Sequence, residues 1–429
     1  MKVLVISHNP LCTYNGMGKT LASLLSAFRK EELCQLYVYP SYPDLDLCES
    51  YFRITDKDVL RSLASFSEPG GEVDKTVISP KQPPFESVRD ETLYRSVRNK
   101  SASRRLARDA IWSLGRWNGG RLQKWLDREQ PSCIFAAPGP ACFLYDLALT
   151  ISHERKIPIA TYICDEYYFV HRAKDALGRL QQRKLRRHME KLMANSAELI
   201  VISDELRKAY QSAFPVSTHV LMTGKTIASC SDDCAEKPAT ALSYFGNVRS
   251  GRYLSLLQIG GALEELGREA GKQYTLHVYT KENDPVVLAG LSSVKSILVH
   301  DFVQGEEFLN RYFSSELLVH AESFDDDMID RVRHSISTKI ADGLASGIPM
   351  LAYGPQGIAS IEHLRRNGCA FVCTKPEELR GVLLKAMNDT QARREAVERA
   401  RITAERFHNG ERNSKELYEL LSRLGGVSC

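Results

Sequence analysis

Lys339 and Asp342 stand three residues apart in the run Ser335-Ile336-Ser337-Thr338-Lys339-Ile340-Ala341-Asp342-Gly343-Leu344-Ala345-Ser346-Gly347-Ile348-Pro349-Met350-Leu351. On a helix that spacing puts an ammonium and a carboxylate on one face, and Ser337 or Thr338 can cap the helix just before them. A cation and a carboxylate at a helix N-terminus suit a nucleotide. Backbone amides and Lys339 would meet phosphate, and Asp342 would accept from the ribose diol. A surface ion pair satisfies the same spacing. A second group opens the chain, Asn15-Gly16-Met17-Gly18-Lys19-Thr20. Gly-Lys-Thr opening a helix suggests a phosphate-binding P-loop, but that motif needs a glycine where this chain has Thr13. Asn15, Gly16 and Gly18 therefore read as a loop whose backbone can approach an anion or hydroxyl closely, or as a tight turn that needs glycine.

Other clusters carry less. Asp325-Asp326-Asp327 contains an Asp-x-Asp and reads as an acidic surface loop rather than a manganese site. Cys230 with Cys234, and Cys369 with Cys373, lack the partners of a four-ligand zinc set. His8, His171, His300 and His334 are candidate acids or bases, each equally suited to a structural role. No metal and no cofactor is expected.

The elements that must position these groups are legible from apolar patterning. Val3 to Ile6 is a short continuous apolar run, and Leu21, Leu24, Leu25 and Phe28 recur at helical spacing after the glycine loop. Further strand-like runs fall at Leu36 to Tyr39, Cys133 to Ala137, Ile157 to Cys164 and Leu199 to Ile202, with a helical pattern at Leu144 to Arg155. After an aperiodic stretch the pattern resumes at Leu242 to Gly246, then at Thr275 to Tyr279, Ser296 to Val299, Glu316 to His320, Met350 to Tyr353 and Ala370 to Cys373. Continuous apolar strands alternating with helices predict parallel sheets covered on both faces. A chain of 429 residues exceeds what one core usually supports, so two α/β domains are expected. They would span residues 1–225 and 242–390, with a linker at 226–241 and a helical segment at 391–429 that packs back on one of them.

A 43% apolar and 26% charged composition excludes disordered and fibrous classes. The net charge of +4 is too small to imply a polyanionic partner, and no nucleic acid is expected. The four-residue apolar opening is too short for a signal-peptide core, and no stretch reaches the length of a spanning helix. The eleven cysteines are scattered, as buried reduced thiols would be, so a cytoplasmic protein is expected. Two basic stretches, Arg95 to Arg128 and Arg172 to Met193, suit either a solvated helix face or contact with an anionic membrane. Trp112, Trp117 and Trp125 favour an interface there.

The Thr338 to Pro349 segment resembles the nucleotide-sugar signature of GT-B glycosyltransferases, especially the family-4 group, whose pattern is Ser-Lys-x-x-Glu-x-x-Ala-x-Gly-x-Pro. Thr338, Lys339, Asp342, Ala345, Gly347 and Pro349 fall on it in register. Gly16-Met17-Gly18 is similar to the family's first glycine loop. Gly246-Asn247-Val248-Arg249-Ser250-Gly251-Arg252 resembles the Gly-x-x-x-x-x-Lys/Arg stretch that opens the second domain, and Leu199 to Leu206 resembles a strand-Ser-x-x-Leu step. Asp342 replaces the usual Glu. Glu322-Ser323-Phe324-Asp325 resembles the Glu-Gly-Phe-Gly context, yet it lies farther from Asp342 than the family spacing. Cys164-Asp165-Glu166 stands where the family often has a histidine.

The resemblance implies two Rossmann-like domains facing a cleft, and transfer of a sugar from a nucleotide-diphosphate donor to a glycan, lipid-linked or small acceptor without metal. By resemblance Gly246, Arg249, Arg252, Thr338, Lys339 and Asp342 hold the donor, and Asn15, Gly16 and Gly18 border the acceptor and the diphosphate. Glu322 and Asp165 would be the catalytic carboxylates, Asp165 as the base if the transfer inverts; the resemblance favours retention. A nucleotide-sugar epimerase and a non-catalytic nucleotide-binding relative share the same fold and stay open. The residues themselves, apart from the resemblance, point to a cytoplasmic location, with peripheral contact at the inner membrane face open beside a solvated surface.

Overall fold

The computed structural model describes residues 1–65, 67–78, 101–169, 173, 175–225 and 235–426. Residues 226–234 of the expected linker, with Cys230 and Cys234, lie outside the described residues, as do His171, Arg172, Lys174 and positions 95–100 of the basic stretches. The chain forms two compact units, Met1–Thr223 with Gly410–Cys429, and Gly224–Asn409.

In the first unit the strands are β1 (Val3–Ser7), β2 (Leu33–Tyr37), β3 (Ser50–Arg53), β4 (Gly71–Glu72), β5 (Cys133–Ala137), β6 (Ile159–Ile163), β7 (Ser196–Val201) and β8 (Ser217–Val220). They make one sheet in the order β4-β3-β2-β1-β5-β6-β7-β8. Every pairing is parallel except the short edge strand β4 against β3. Between them run α1 (Gly16–Leu24), α2 (Asp56–Ser65), α3 (Ala102–Leu114), α4 (Gly120–Glu129), α5 (Cys142–Arg155), α6 (Ala176–Asn195) and α7 (Asp204–Ala213). β1, β2, β5 and β6 are buried along their whole length, which is why they read as unbroken apolar runs. Trp112 and Trp125 are core residues: Trp112 stacks on Phe143 at 4.0 Å, and the Trp125 indole donates to Ser50 at 2.9 Å. They therefore face no membrane boundary, because Asp56 and Ser50 satisfy their N–H groups inside the unit.

The second unit runs β9 (Ala241–Phe245), α8 (Arg252–Ala270), β10 (Thr275–Thr280), α9 (Pro285–Ser292), β11 (Ile297–Asp301), α10 (Gly305–Phe313), β12 (Leu317–Ala321), α11 (Asp326–Val332), α12 (Thr338–Ala345), β13 (Met350–Tyr353), α13 (Ala359–Asn367), β14 (Phe371–Cys373), α14 (Leu379–Asn388) and α15 (Thr390–Phe407). Its sheet is fully parallel, in the order β11-β10-β9-β12-β13-β14. Arg393 on α15 is buried and donates to the carbonyls of Ala386 and Glu316, both at 2.8 Å, which fixes α15 to this unit. The expected C-terminal segment thus divides. Its last helix, α16 (Gly410–Leu424), belongs to the first unit, where Ser414 donates to the Leu24 carbonyl at 2.8 Å and accepts from the Ala27 amide at 2.7 Å.

In each sheet the strand order reverses beside the first strand, between β1 and β5 and between β9 and β12. Loops leaving the carboxyl ends of such strands diverge there and open a crevice.

Candidate donor-binding site

At the second reversal a pocket of about 500 Å³ is lined by the ends of β9 and β12, the loop before α10, and α12. Gly246, Arg252, Glu322, Lys339 and Asp342 line it together. Thr338 is the first residue of α12 and is absent from the lining, where its neighbour Ser337 stands instead. Ser337 is the N-cap residue of α12 but makes no side-chain capping bond, and its amide donates to the Ser360 hydroxyl at 3.2 Å.

One end of the pocket is cationic. Arg252, in the first turn of α8, meets Glu322 with two parallel bonds, Nε to Oε2 at 2.9 Å and a terminal nitrogen to Oε1 at 3.2 Å. Glu322 is 3% exposed. Its burial raises the carboxyl above the ordinary range, against the pull of Arg252 and Lys339. Lys339 is an exposed residue whose ammonium end nonetheless sits against Gly246, 5.2 Å from the centroid of the Tyr244 ring. Desolvation of that ammonium, then repulsion from Arg252, lowers it from the usual lysine range. Gly246 is required at its position. Its φ of +142° disfavours a side chain, and a Cβ would overlap Lys339 Nζ.

The other end is aromatic. Phe245 stacks on Tyr279 with centroids 4.7 Å apart and planes 3° from parallel, and meets Phe308 edge-on at 5.5 Å. Tyr312 closes this wall, 5.1 Å from Phe245. Burial, then the charge of Asp342, pushes the Tyr312 phenol upward, and both residues line the pocket.

Arg249 lies apart from these residues. It is exposed and bonds Glu282 at 3.0 and 3.2 Å, in a separate surface hollow. Asp325 serves as the N-cap of α11, accepting from the Met328 amide at 3.2 Å. His320 is a pocket residue that sequence reasoning missed. It is buried, its Nε2 stands 3.4 Å from Glu322 Oε1 without a hydrogen bond, and burial then Arg252 push it down to about 3. The alternation of His320 and Glu322 at the end of β12 was its available signal.

The remaining predicted residues belong to the first unit. Asn15 caps α1, its Oδ1 accepting from the Gly18 amide at 2.7 Å, and a Cβ on Gly18 would lie 2.8 Å from the Pro10 carbonyl oxygen. Gly16 has open space around its Cα. Asp165 follows β6 and accepts from the Glu166 amide at 2.9 Å. Among the described residues no group of three or more metal-ligating side chains comes together, and no described helix is long and apolar enough to cross a membrane.

No family model and no curated protein sequence matches the chain. Solved structures do. Sucrose-phosphate synthase from Thermosynechococcus elongatus superposes with a TM-score of 0.63 over 100% of both chains at 11% identity. HepE from Anabaena, solved in complex with UDP and glucose, gives 0.62 over 99% of this chain and 100% of its own at 12% identity. WaaG, a glycosyltransferase involved in lipopolysaccharide biosynthesis, gives 0.53 over 97% and 99% at 13% identity. With its two parallel-sheet units, each reversing strand order beside its first strand, the chain has the GT-B fold of these glycosyltransferases.

Proposed function

We propose that this protein is a glycosyltransferase that takes a sugar from a nucleotide-diphosphate donor, with UDP as the nucleotide. The observation that carries the reading is one pocket holding two cations, Arg252 and Lys339, beside an aromatic wall and the Asp342 carboxylate. The base packs against Phe245 and Tyr312, Asp342 accepts from the ribose hydroxyls, and Arg252 with Lys339 meets the diphosphate. As the sugar–phosphate bond breaks, negative charge grows on the departing diphosphate, and fixed cations stabilise that state more than the ground state. The two cations supply charge that a metal would otherwise bring, so chelation leaves turnover unchanged. Glu322 acts through Arg252, holding the guanidinium in one orientation by its two bonds. The UDP bound by HepE supports the nucleotide assignment.

The first unit takes the acceptor. Transfer with retention is part of the reading, and Asp165 becomes essential only if the anomeric centre inverts. Exposed Arg179, Arg183, Arg187 and Lys191 share the outer face of α6 with exposed Leu177 and Leu180, which supports peripheral contact with an anionic membrane from the cytoplasmic side.

The test is turnover. Purified protein is incubated with UDP-sugars and an acceptor panel, with and without chelator, and products are resolved by mass spectrometry and anomer-resolved NMR. A glycosylated acceptor formed equally in chelator supports the reading. An altered donor without any acceptor product would identify an epimerase, and no turnover with intact UDP binding would identify a binding protein.

A further inference from the structure

The first unit has its own pocket, of about 380 Å³, at the β1/β5 strand reversal. Helix α3 sends Arg104, Arg105 and Arg108 to its wall, and the Asn15–Gly16 start of α1 borders it. Arg108 is held rigidly. Its Nε bonds both oxygens of Asp56 at 2.9 and 3.0 Å, both terminal nitrogens stand 3.4 Å from His8 Nε2, and its guanidinium lies 4.8 Å from the centroid of the Phe143 ring. Asp56 also accepts from the Trp112 indole at 2.7 Å, so Arg108 and Trp112 both engage this carboxylate. The other lining carboxylate, Asp109, is buried, and burial moves it toward its neutral form. Lys184 stands 3.9 Å from Asp109, and Arg104 and Arg105 complete the pocket wall at its exposed rim. Neighbouring guanidiniums beside a rigid, half-apolar hollow match a phosphate or carboxylate group, whose oxygens accept paired N–H donors.

We propose that this pocket binds the acceptor through a phosphate group, read by Arg104 and Arg105 with Arg108 as the fixed backing. The inference rests on the transfer reading and names the chemistry of the acceptor. The phosphate belongs either to a free sugar phosphate or to a lipid headgroup, and both present the same oxygens.

Calorimetric titration of the full-length protein tests it, with inorganic phosphate, glucose 6-phosphate, glucose, and dihexanoyl phosphatidic acid below its micellar concentration. Each is repeated on Arg104→Ala/Arg105→Ala and on Arg104→Lys/Arg105→Lys, with UDP titrated in parallel. Phosphorylated probes should bind better than glucose and weaken at least about tenfold in the alanine variant, the size expected for losing charge-assisted bonds, with partial recovery in the lysine variant. UDP affinity should stay unchanged. Preference for glucose 6-phosphate identifies a soluble acceptor, and preference for the phosphatidic acid identifies a lipid. Equal binding of glucose, no binding of any phosphorylated probe, or binding lost in Lys339→Ala but not in the Arg104/Arg105 variants would overturn it. Phosphate binding without UDP binding would sink the transfer reading and leave this pocket standing.

Discussion

Replacing Arg252 with Met leaves Glu322 buried beside His320, with no guanidinium to answer it. Breaking a buried pair by removing one partner costs about 3–5 kcal/mol, because Glu322 loses its hydrogen-bonded partner, although it keeps the Lys339 ammonium to offset its charge. For a unit of this size that corresponds to a fall in Tm of about 6–20 °C near pH 8. The pH dependence has a definite sign. Glu322 is already raised by burial, and losing Arg252 raises it further. A carboxyl raised in the folded state contributes stability that is present below its unfolded value, near 4.5, and is lost as pH rises through the folded value. The deficit of the variant should therefore be small near pH 4.5 and grow toward pH 8. Differential scanning calorimetry without nucleotide, from pH 4.5 to 8.5, measures this, and hydrogen exchange of peptides covering β12 and α8 localises it. Adding Glu322→Leu in the same background should recover most of the loss. A deficit below about 1 kcal/mol at pH 8, or one that does not change with pH, would mean that Arg252 and Glu322 behave as an exposed pair, since such pairs contribute no more than that.

The other predictions concern ligand binding. Gly246→Ala should weaken UDP binding about tenfold or more, because the new Cβ displaces the Lys339 ammonium and so removes a charged hydrogen bond; titration calorimetry measures it, and an unchanged Kd would separate Lys339 from the nucleotide. UDP affinity should be flat between about pH 7 and 8, above the second ionisation of the terminal phosphate at about 6, and fall above pH 8, by up to about tenfold per pH unit. Burial, then Arg252, pushes Lys339 down to about 8, and a bound diphosphate must draw its proton back. Lys339→Met should remove that fall along with much of the affinity.

Much of the fold was legible in the residues. Buried parallel strands announce themselves as unbroken apolar runs, so Cys133–Ala137 and Met350–Tyr353 fall where the sequence puts them. β3, β4 and β8 escaped notice because they are short and lie toward the sheet margins, where half-exposed residues such as Arg53 and Thr218 break the apolar pattern. The division at Gly410 was hidden too, since both flanking helices are charged outside and only tertiary bonds such as Ser414 to Leu24 tell them apart.

The site was partly legible. Lys339 and Asp342 share one helix, so local spacing placed them together. Arg252 and Glu322 meet across 70 residues, and only the resemblance joined them. Arg249 shows the limit of motif reading. It sits one turn from Arg252 in sequence, yet the left-handed Ser250 and Gly251 turn the chain between them, and its guanidinium goes to Glu282. The aromatic wall is assembled from β9, β10 and α10, which no local pattern links.

Donor binding in the second unit is tested by titration calorimetry of UDP, in chelator, against the full-length protein and Asp342→Ala. Binding should be saturable and metal-independent, and Asp342→Ala should weaken it by about 1.5–3 kcal/mol, roughly 10- to 150-fold, as expected for lost charge-assisted bonds to the ribose. An unchanged Kd in Asp342→Ala, or no UDP binding by the native protein, would contradict it.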